Sequence, residues 1–348
     1  MVPHFQNVKD DIYPLVTVCI ANYNGEEFIQ QCIDSVLNQK KIPGLVEIIV
    51  HDDASTDNSV SLIEERYPQV KLLLGKQNVG FCISNNRMVT AAQGKFILLL
   101  NNDATLHFNA LETLYNAYVL YGDGIYGLPQ YNAVTKELID IGCIYDLFLN
   151  PIPNKKRARN NVGMVIGACM FLSRKLWNDL GGFPEWFGSL GEDLYICCLA
   201  RLRGFKVMAI SQSGFDHWVG QSFGGGKILN NKKLSTRISR RAKSERNKTF
   251  VMIICFPPVM AWILIPVHFV LLIFEGLLLS LVKNDLRILV QIYWFSLKET
   301  WRMRRLLMQQ RQAVQYARNC ILRHFLSPFT FLPHKLRMLY IHGFPEVK

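Results

Sequence analysis

Four apolar runs end one after another on clusters of polar residues, and this ordering constrains the fold more than any other feature of the chain. "LVTVCIAN" leads to Asn22, Tyr23 and Asn24, and "LVEIIVHDD" ends on His51, Asp52 and Asp53. "VKLLLG" opens the stretch from Gly75 to Asn78, and "KFILLLNND" ends on Asn101, Asn102 and Asp103. Short apolar, β-branched runs of this kind read as buried strands. Between them lie segments of helical spacing. "EEFIQQCIDSVLNQ" repeats apolar residues at Phe28, Ile29, Cys32, Ile33, Val36 and Leu37. "STDNSVSLIEERYP" opens on Ser55 or Thr56 as a cap and closes at Pro68, and "FCISNNRMVTAAQG" ends at Gly94. Repeated β-α-β units imply a mostly parallel sheet with ligands outside the carboxyl ends of its strands. One polar strand end is an ordinary turn. Four in succession, two of them bearing carboxylates, line a cleft. A carboxylate-rich cleft in a chain of net charge +12 calls for a cation, and a divalent metal carrying a phosphorylated ligand fits.

Along its 348 residues the chain divides into three parts. Residues 1–226 read as the globular domain, 227–249 as a basic linker with nine Lys or Arg before Thr249, and 250–348 as a hydrophobic and amphipathic region for membrane association. The nine cysteines are odd in number, form no C-x-x-C pair and lie mostly in apolar runs, so they read as reduced, buried thiols. The stretch "MVPHFQNVKDDIYP" has no apolar h-region, so no secretory signal is expected. "GQSFGGGK" imitates a phosphate loop but misses its spacing, with Ile228 where a Ser or Thr is needed.

The stretches "VTVCIANYNGEEFIQQCIDSVLNQ", "EIIVHDDASTDNSVSLIEE", "NVGFCISNN" and "GKFILLLNND" resemble glycosyltransferase family 2, with its bacterial rhamnosyltransferase-like members the nearest likeness. "GACMFLSRKLWNDLGGFPEWF", "GEDLYICCLARLRGFKV" and "FDHW" follow in the family's order. The resemblance covers residues 13 to about 222. It implies an α/β GT-A fold with a Rossmann-like, mostly parallel sheet. It also implies a nucleotide-diphosphate sugar donor, a divalent metal (Mn²⁺ or Mg²⁺) and inversion at the anomeric carbon.

Carried over residue by residue, the resemblance implies that Asp52 contacts the donor base, with Asn22 and Asn24 lining the same pocket. Asp53 stands where many relatives carry Asn. Asn78 and Gly80 would approach the nucleotide or sugar, or simply form the turn before a helix. Arg87 would touch the diphosphate or remain a solvated helix residue, and Asp57 reads as a helix-start residue. The family's D-x-D falls on Asn101, Asn102 and Asp103. Asp103 matches the metal-ligating Asp, and Asn101 replaces a carboxylate, which implies weak metal binding until a donor arrives. In "GEDLYICC", Asp193 matches the general base and Glu192 the residue orienting base or acceptor; adjacent acids also suit a helix start. Tyr195 replaces a further Asp of many relatives. His217 matches a histidine facing the metal-diphosphate. Trp218 would be a sugar or acceptor platform, and Gly167 with Ala168 the bend bordering the acceptor.

Residues 250–282 are almost wholly apolar but broken by Pro257, Pro258 and Pro266, with basic flanks on both sides. Since cytoplasmic flanks gather Lys and Arg, a re-entrant or interfacial helical hairpin with both ends cytoplasmic is expected, ahead of a single span or a buried core. Trp294, Trp301 and the Arg-rich tail suit an anionic headgroup layer. No nucleic-acid-binding motif accompanies the charge. The expected function is sugar transfer to a lipid-linked saccharide at the cytoplasmic face of a bacterial inner membrane, in cell-envelope polysaccharide synthesis. The alternatives are a polyprenyl-phosphate acceptor and a non-catalytic, membrane-bound scaffold of the same fold.

Overall fold

A computed structural model of the chain describes residues 13–218, the backbone of 227–228, and residues 234–348. The N-terminal stretch read for a signal lies largely outside these residues, as does most of "GQSFGGGK", including the expected boundary at 226. The expected alternation is present: β1 (Val16–Asn22), α1 (Ile29–Leu37), β2 (Val46–Asp52), α2 (Ser59–Arg66), β3 (Lys71–Leu74), α3 (Phe81–Ala91) and β4 (Phe96–Asn101). After these come β5 (Ala104–Leu106), α4 (Ala110–Tyr121), β6 (Gly124–Gly127), β7 (Gln130–Asn132), β8 (Leu138–Asp140), β9 (Cys143–Asp146) and β10 (Pro151–Pro153). Next are β11 (Cys169–Ser173), α5 (Arg174–Leu180), α6 (Glu192–Leu202), β12 (Lys206–Ala209) and β13 (Phe215–His217).

Seven strands form the main sheet in the order β12-β6-β11-β4-β1-β2-β3. β11 runs antiparallel to β4 and β6, and the other pairings are parallel. Both faces are buried, so successive residues feed opposite cores: Phe96, Leu98 and Leu100 of β4 pack on one side, Ile97 and Leu99 on the other. Register sets the polar ends level. Asn22 pairs with Asp52 and Ala21 with Asn101, so the strand-end side chains share one rim. A second sheet, β5-β13-β7-β8, stands beside that rim and sets His217 opposite Ala104, next to Asp103. All nine cysteines are free, as expected.

The α2 start differs from expectation. The helix begins at Ser59, because Ser55 is taken by Asp52: its backbone N–H donates to Oδ2 at 2.9 Å and its hydroxyl to Oδ1 at 2.6 Å.

The C-terminal region departs further. The segment expected as a linker enters a long helix, α7 (Ile238–Cys255), whose second half sits in the main core with Phe250 to Phe256 buried. Its basic residues mask this buried face in the sequence. Pro257 ends α7, because the residue before a proline is driven out of the helical region, and Pro258 opens α8 (Pro258–Lys283). The expected hairpin within 250–282 is therefore not formed there; α8 is a single 26-residue helix containing Pro266, about 39 Å long. By length and composition it could cross a membrane. It lies antiparallel along α7, pinned by His268 to Thr249 (2.8 Å) and by Glu275 to Arg241 (2.7 Å). Lys335 bridges Glu245 (2.5 Å) and Glu275 (2.7 Å) across the same seam.

Asn247 seats α7 on the domain. Its fully buried amide donates to the carbonyls of Phe187 (3.3 Å), Ser189 (3.1 Å) and Leu190 (2.6 Å). Leu190 has φ +71°, a conformation costly for a residue with a Cβ, so the loop needs such a clamp. Asn247→Ala is expected to cost about 1–3 kcal/mol, lowering the melting temperature by a few degrees in a thermal scan. An unchanged melting temperature would show that this clamp adds no stability.

Candidate active site

The first group of site residues is a hydrogen-bonded lock across the strand ends. Asn22, almost fully buried at the end of β1, donates from Nδ2 to Asp52 Oδ1 at 2.8 Å and to Ser59 Oγ at 2.9 Å. Its Oδ1 accepts from Asn102 Nδ2 at 2.9 Å. Asn24, at φ +48°, clamps the opposite loop: its side-chain oxygen accepts from the Thr56 N–H at 2.8 Å, and its own N–H donates to Ser55 Oγ at 2.9 Å. Asp53 turns the other way and accepts from the N–H groups of Val79 (2.7 Å) and Gly80 (2.8 Å). Gly80 has φ +87°, which a side chain would strain. Asn78 is exposed on the same loop. Asp57 accepts from Ser59 N–H at 3.1 Å, the helix-start role expected of it. Arg87 is exposed on α3 with Nη1 3.3 Å from His51 Nε2, and no hydrogen bond joins it to the Asn22–Asp52–Asn102 lock.

The second group is Asp103 with His217. Asp103 follows β4, His217 ends β13, and both are buried. His217 Nε2 lies 3.0 Å from Asp103 Oδ1, and His217 Nδ1 lies 2.7 Å from Gln130 Nε2. Asn101 Oδ1 is buried with no hydrogen-bond partner among the described residues. No cluster of three or more His, Cys, Asp or Glu suited to a metal occurs among those residues. One carboxylate, one imidazole and a spare amide oxygen do suit Mn²⁺ or Mg²⁺, ions that keep several waters and take further oxygens from a substrate diphosphate. Trp218 donates its N–H to the Asp103 carbonyl at 3.0 Å, and its ring lies 5.5 Å from that of Phe28.

The third group is the acid pair. Glu192 and Asp193 open α6 after Gly191, which takes the left-handed conformation at φ +87°. Asp193 Oδ1 accepts from the Leu194 N–H at 2.7 Å and Oδ2 from the Gly167 N–H at 3.4 Å. The neighbouring Ala168 carbonyl accepts from the Asn101 N–H at 3.1 Å. The Gly167–Ala168 bend therefore ties the acid pair to the end of β4, so one small segment joins two groups far apart in sequence. Tyr195 turns into the core, its ring edge-on to Phe187; here the position serves packing. Sequence reading missed the roles of Ser55, Gln130 and Asn247, which hold the rim, the histidine and the acid-pair loop. It also missed Arg240 of α7, whose charge acts on both Glu192 and Asp193. Ser55 reads only as a helix cap, and nothing in the sequence marks Gln130, Asn247 or Arg240 for these roles.

Burial first, and then the Asp193 charge, push the Glu192 carboxyl up to about 8. Burial also raises Asp193, while the Leu194 and Gly167 N–H groups favour its ionised form. Burial thus favours a proton on the pair, and Asp193, held by the Leu194 and Gly167 N–H groups, is the readier base. Because the folded value of Glu192 lies above the ordinary 4.5, the unfolded chain releases this proton first as pH rises. The folded state therefore loses stability between about pH 4.5 and 8. Glu192→Gln cannot ionise, so its melting temperature relative to wild type is expected to climb from pH 5 to pH 8. A pH-independent difference would mean that Glu192 is already ionised.

Residues 17–181 match the sequence model described as Glycosyl transferase family 2. The chondroitin synthase of Escherichia coli is 31% identical over 228 residues, covering 59% of this chain and 30% of that protein. The chain spans between a tenth and a third of the length of the chondroitin synthases it matches. In structure it is similar to GalNAc-T7 with UDP, GalNAc and Mn²⁺ (TM-score 0.54, 17% identity, 70% of this chain and 48% of that one). It is also similar to the mannosyltransferase PcManGT from Pyrobaculum calidifontis in complex with GDP-Man and Mn²⁺ (TM-score 0.50, 16% identity, 88% and 86%). By the sequence match residues 17–181 are similar to glycosyl transferase family 2, and the fold that holds them is GT-A.

Proposed function

We propose that the chain is an inverting glycosyltransferase that uses a nucleotide-diphosphate sugar, a UDP-sugar or dTDP-rhamnose, to extend a lipid-linked saccharide. Its setting is cell-envelope polysaccharide synthesis at the cytoplasmic face of a bacterial inner membrane. The observation that carries this reading is the Gly167–Ala168 bend, which links Asp193 on one side to the Asn101–Asp103 strand end on the other. Base and leaving group belong on opposite sides of the reacting carbon in an inverting transfer. Asp193 takes the proton of the acceptor hydroxyl as its oxygen bonds to the anomeric carbon. The bond from that carbon to the diphosphate breaks, and the nucleoside diphosphate leaves with the electron pair.

Asp103 and His217 would hold the divalent ion, with the unpartnered amide oxygen of Asn101 at the same strand end as a further oxygen donor. Such an ion supplies positive charge to the departing diphosphate. The neighbouring structures with a nucleotide and Mn²⁺ support pairing the two here. Asn22, Asn24, Asp52, Asp53, Asn78 and Gly80 are the proposed nucleotide rim. Gly167, Ala168 and Trp218 are the proposed acceptor side. Arg87, turned to His51, has the weakest support for a donor role.

Membrane association is proposed through α8 and the tail. The outward face of α8 presents Trp262 (83% exposed), Ile263, Val270, Phe274 and Leu281 with no polar side chain among them. Trp294 and Trp301 are exposed beyond it, near Lys298, Arg302 and Arg305. Apolar surface rimmed by tryptophan and cations fits an anionic lipid interface. Because α7 and α8 pin each other, both ends of α8 stay beside the domain, which supports an interfacial rather than a spanning helix.

Donor hydrolysis and transfer, screened over nucleotide sugars with Mn²⁺, are expected to be lost in EDTA. Asp193→Asn should lower turnover by about 10²-fold or more with nucleotide binding kept; full turnover in this variant sinks the base assignment. For the membrane, Trp262→Asp combined with Phe274→Asp is expected to release the protein from anionic vesicles in a sedimentation assay. Undiminished pelleting of the folded variant would refute docking through α8. Deleting the region is no test, since α7 supplies core.

A further inference from the structure

The proposed metal pair has a third member that neither motif nor family pattern points to. Gln130 lies on β7, beside and parallel to β13, and is 2% exposed. Its amide nitrogen sits 2.7 Å from His217 Nδ1, while His217 Nε2 faces Asp103 Oδ1 at 3.0 Å. With the amide turned this way its NH₂ donates and Nδ1 accepts, which leaves the ring one proton, on Nε2 and directed at Asp103. In this state His217 has no lone pair to offer a cation. For Nε2 to bind an ion, the proton must be on Nδ1, and a buried N–H there needs an acceptor. Gln130 can supply one by turning its amide half a turn, which brings its carbonyl oxygen to Nδ1. Among the described residues no other group bonds to Nδ1. Leucine at this position would serve neither state and glutamate only the second.

We infer that Gln130 is a positioning residue whose amide selects the tautomer of His217, turning over when a metal-diphosphate arrives. This rests on the reading of Asp103 and His217 as the metal-facing pair. The change takes one proton off Nε2 and puts one on Nδ1, so the ring stays neutral and no proton is released overall. Without ligand, the histidine and aspartate satisfy each other. With ligand, the amide satisfies the histidine and frees Nε2. The site then prefers an ion that comes with a diphosphate over an ion alone.

The test uses the full chain labelled with ¹⁵N-histidine. Long-range ¹H–¹⁵N spectra distinguish the two tautomers, and the His217 signals are those lost in His217→Gln. The probe is Mg²⁺ with UDP or dTDP, whichever the wild type binds. The expected result is the Nε2–H form in the free protein and the Nδ1–H form with the probe; the same tautomer in both overturns the inference. Calorimetry supplies a second readout. Gln130→Leu should weaken Mg²⁺-dependent nucleotide binding about 10-fold or more, while Gln130→Glu should keep it. A Mg²⁺-dependent wild type matched by a folded Gln130→Leu overturns the inference alone. A wild type whose nucleotide affinity ignores Mg²⁺ overturns the metal reading and this inference with it.

Discussion

The amide of Asn22 is the interaction on which the cleft depends. One side chain, at the end of the central parallel strand, reaches Asp52 on one flank and Asn102 on the other, with Ser59 closing the ring. A buried amide has four hydrogen-bonding positions to satisfy, and filling three of them from the end of β2, the turn after β4 and the start of α2 fixes the ends of β1, β2 and β4 together. Asp103 follows directly from Asn102, so its direction is set by the same lock. The chemistry attributed to the cleft therefore begins with a structural hydrogen bond. Asp52, expected at the nucleotide base, carries part of that bonding already through Asn22 and Ser55. Any contact it makes with a ligand comes from a carboxylate held in place beforehand.

Much of this was legible in the sequence because two signals coincide. The strand residues alternate between two cores, and the polar clusters fall where the strands stop, so β1, β2 and β4 declare both their burial and their ends. The acid pair at Glu192 and Asp193 was picked out by motif order, and the structure adds the Leu194 and Gly167 N–H groups that hold Asp193. Three parts were not legible. Ser55 reads as a helix cap but is taken by Asp52, a choice decided by tertiary contact. Gln130 sits in "LPQYN", an unremarkable strand residue whose role exists only through its neighbour on β13. The largest miss is α7. Arg240, Arg241, Arg246 and Lys248 make it look like a solvated linker. Yet Asn247, Phe250, Val251 and Ile254 are buried, and the long basic stems pack beside them with their charges satisfied at the edges.

The net charge also changes meaning once located. Twenty-one of the thirty-nine Lys and Arg residues lie from 227 onward, and several of them are not free surface charge. Arg241, Lys248 and Lys335 are locked with Glu245 and Glu275 in the seam between α7 and α8. A buried ionic network of this kind is a poor source of stability against an apolar replacement but costly to break on one side. It fixes how two helices register. The exposed remainder, with Trp294 and Trp301, is what an outside surface would feel.

The Asn247 clamp has a geometric consequence. The loop that presents the acid pair and the apolar face of α8 are attached to the two sides of one helix, with no flexible tether between them. If that face rests on lipid, the cleft stands at a set height above it. A transferase so held would act as a ruler: among hydroxyls of similar reactivity, it would favour the one whose distance from its own lipid anchor matches the stand-off. Acceptor choice would be governed by reach as much as by contact.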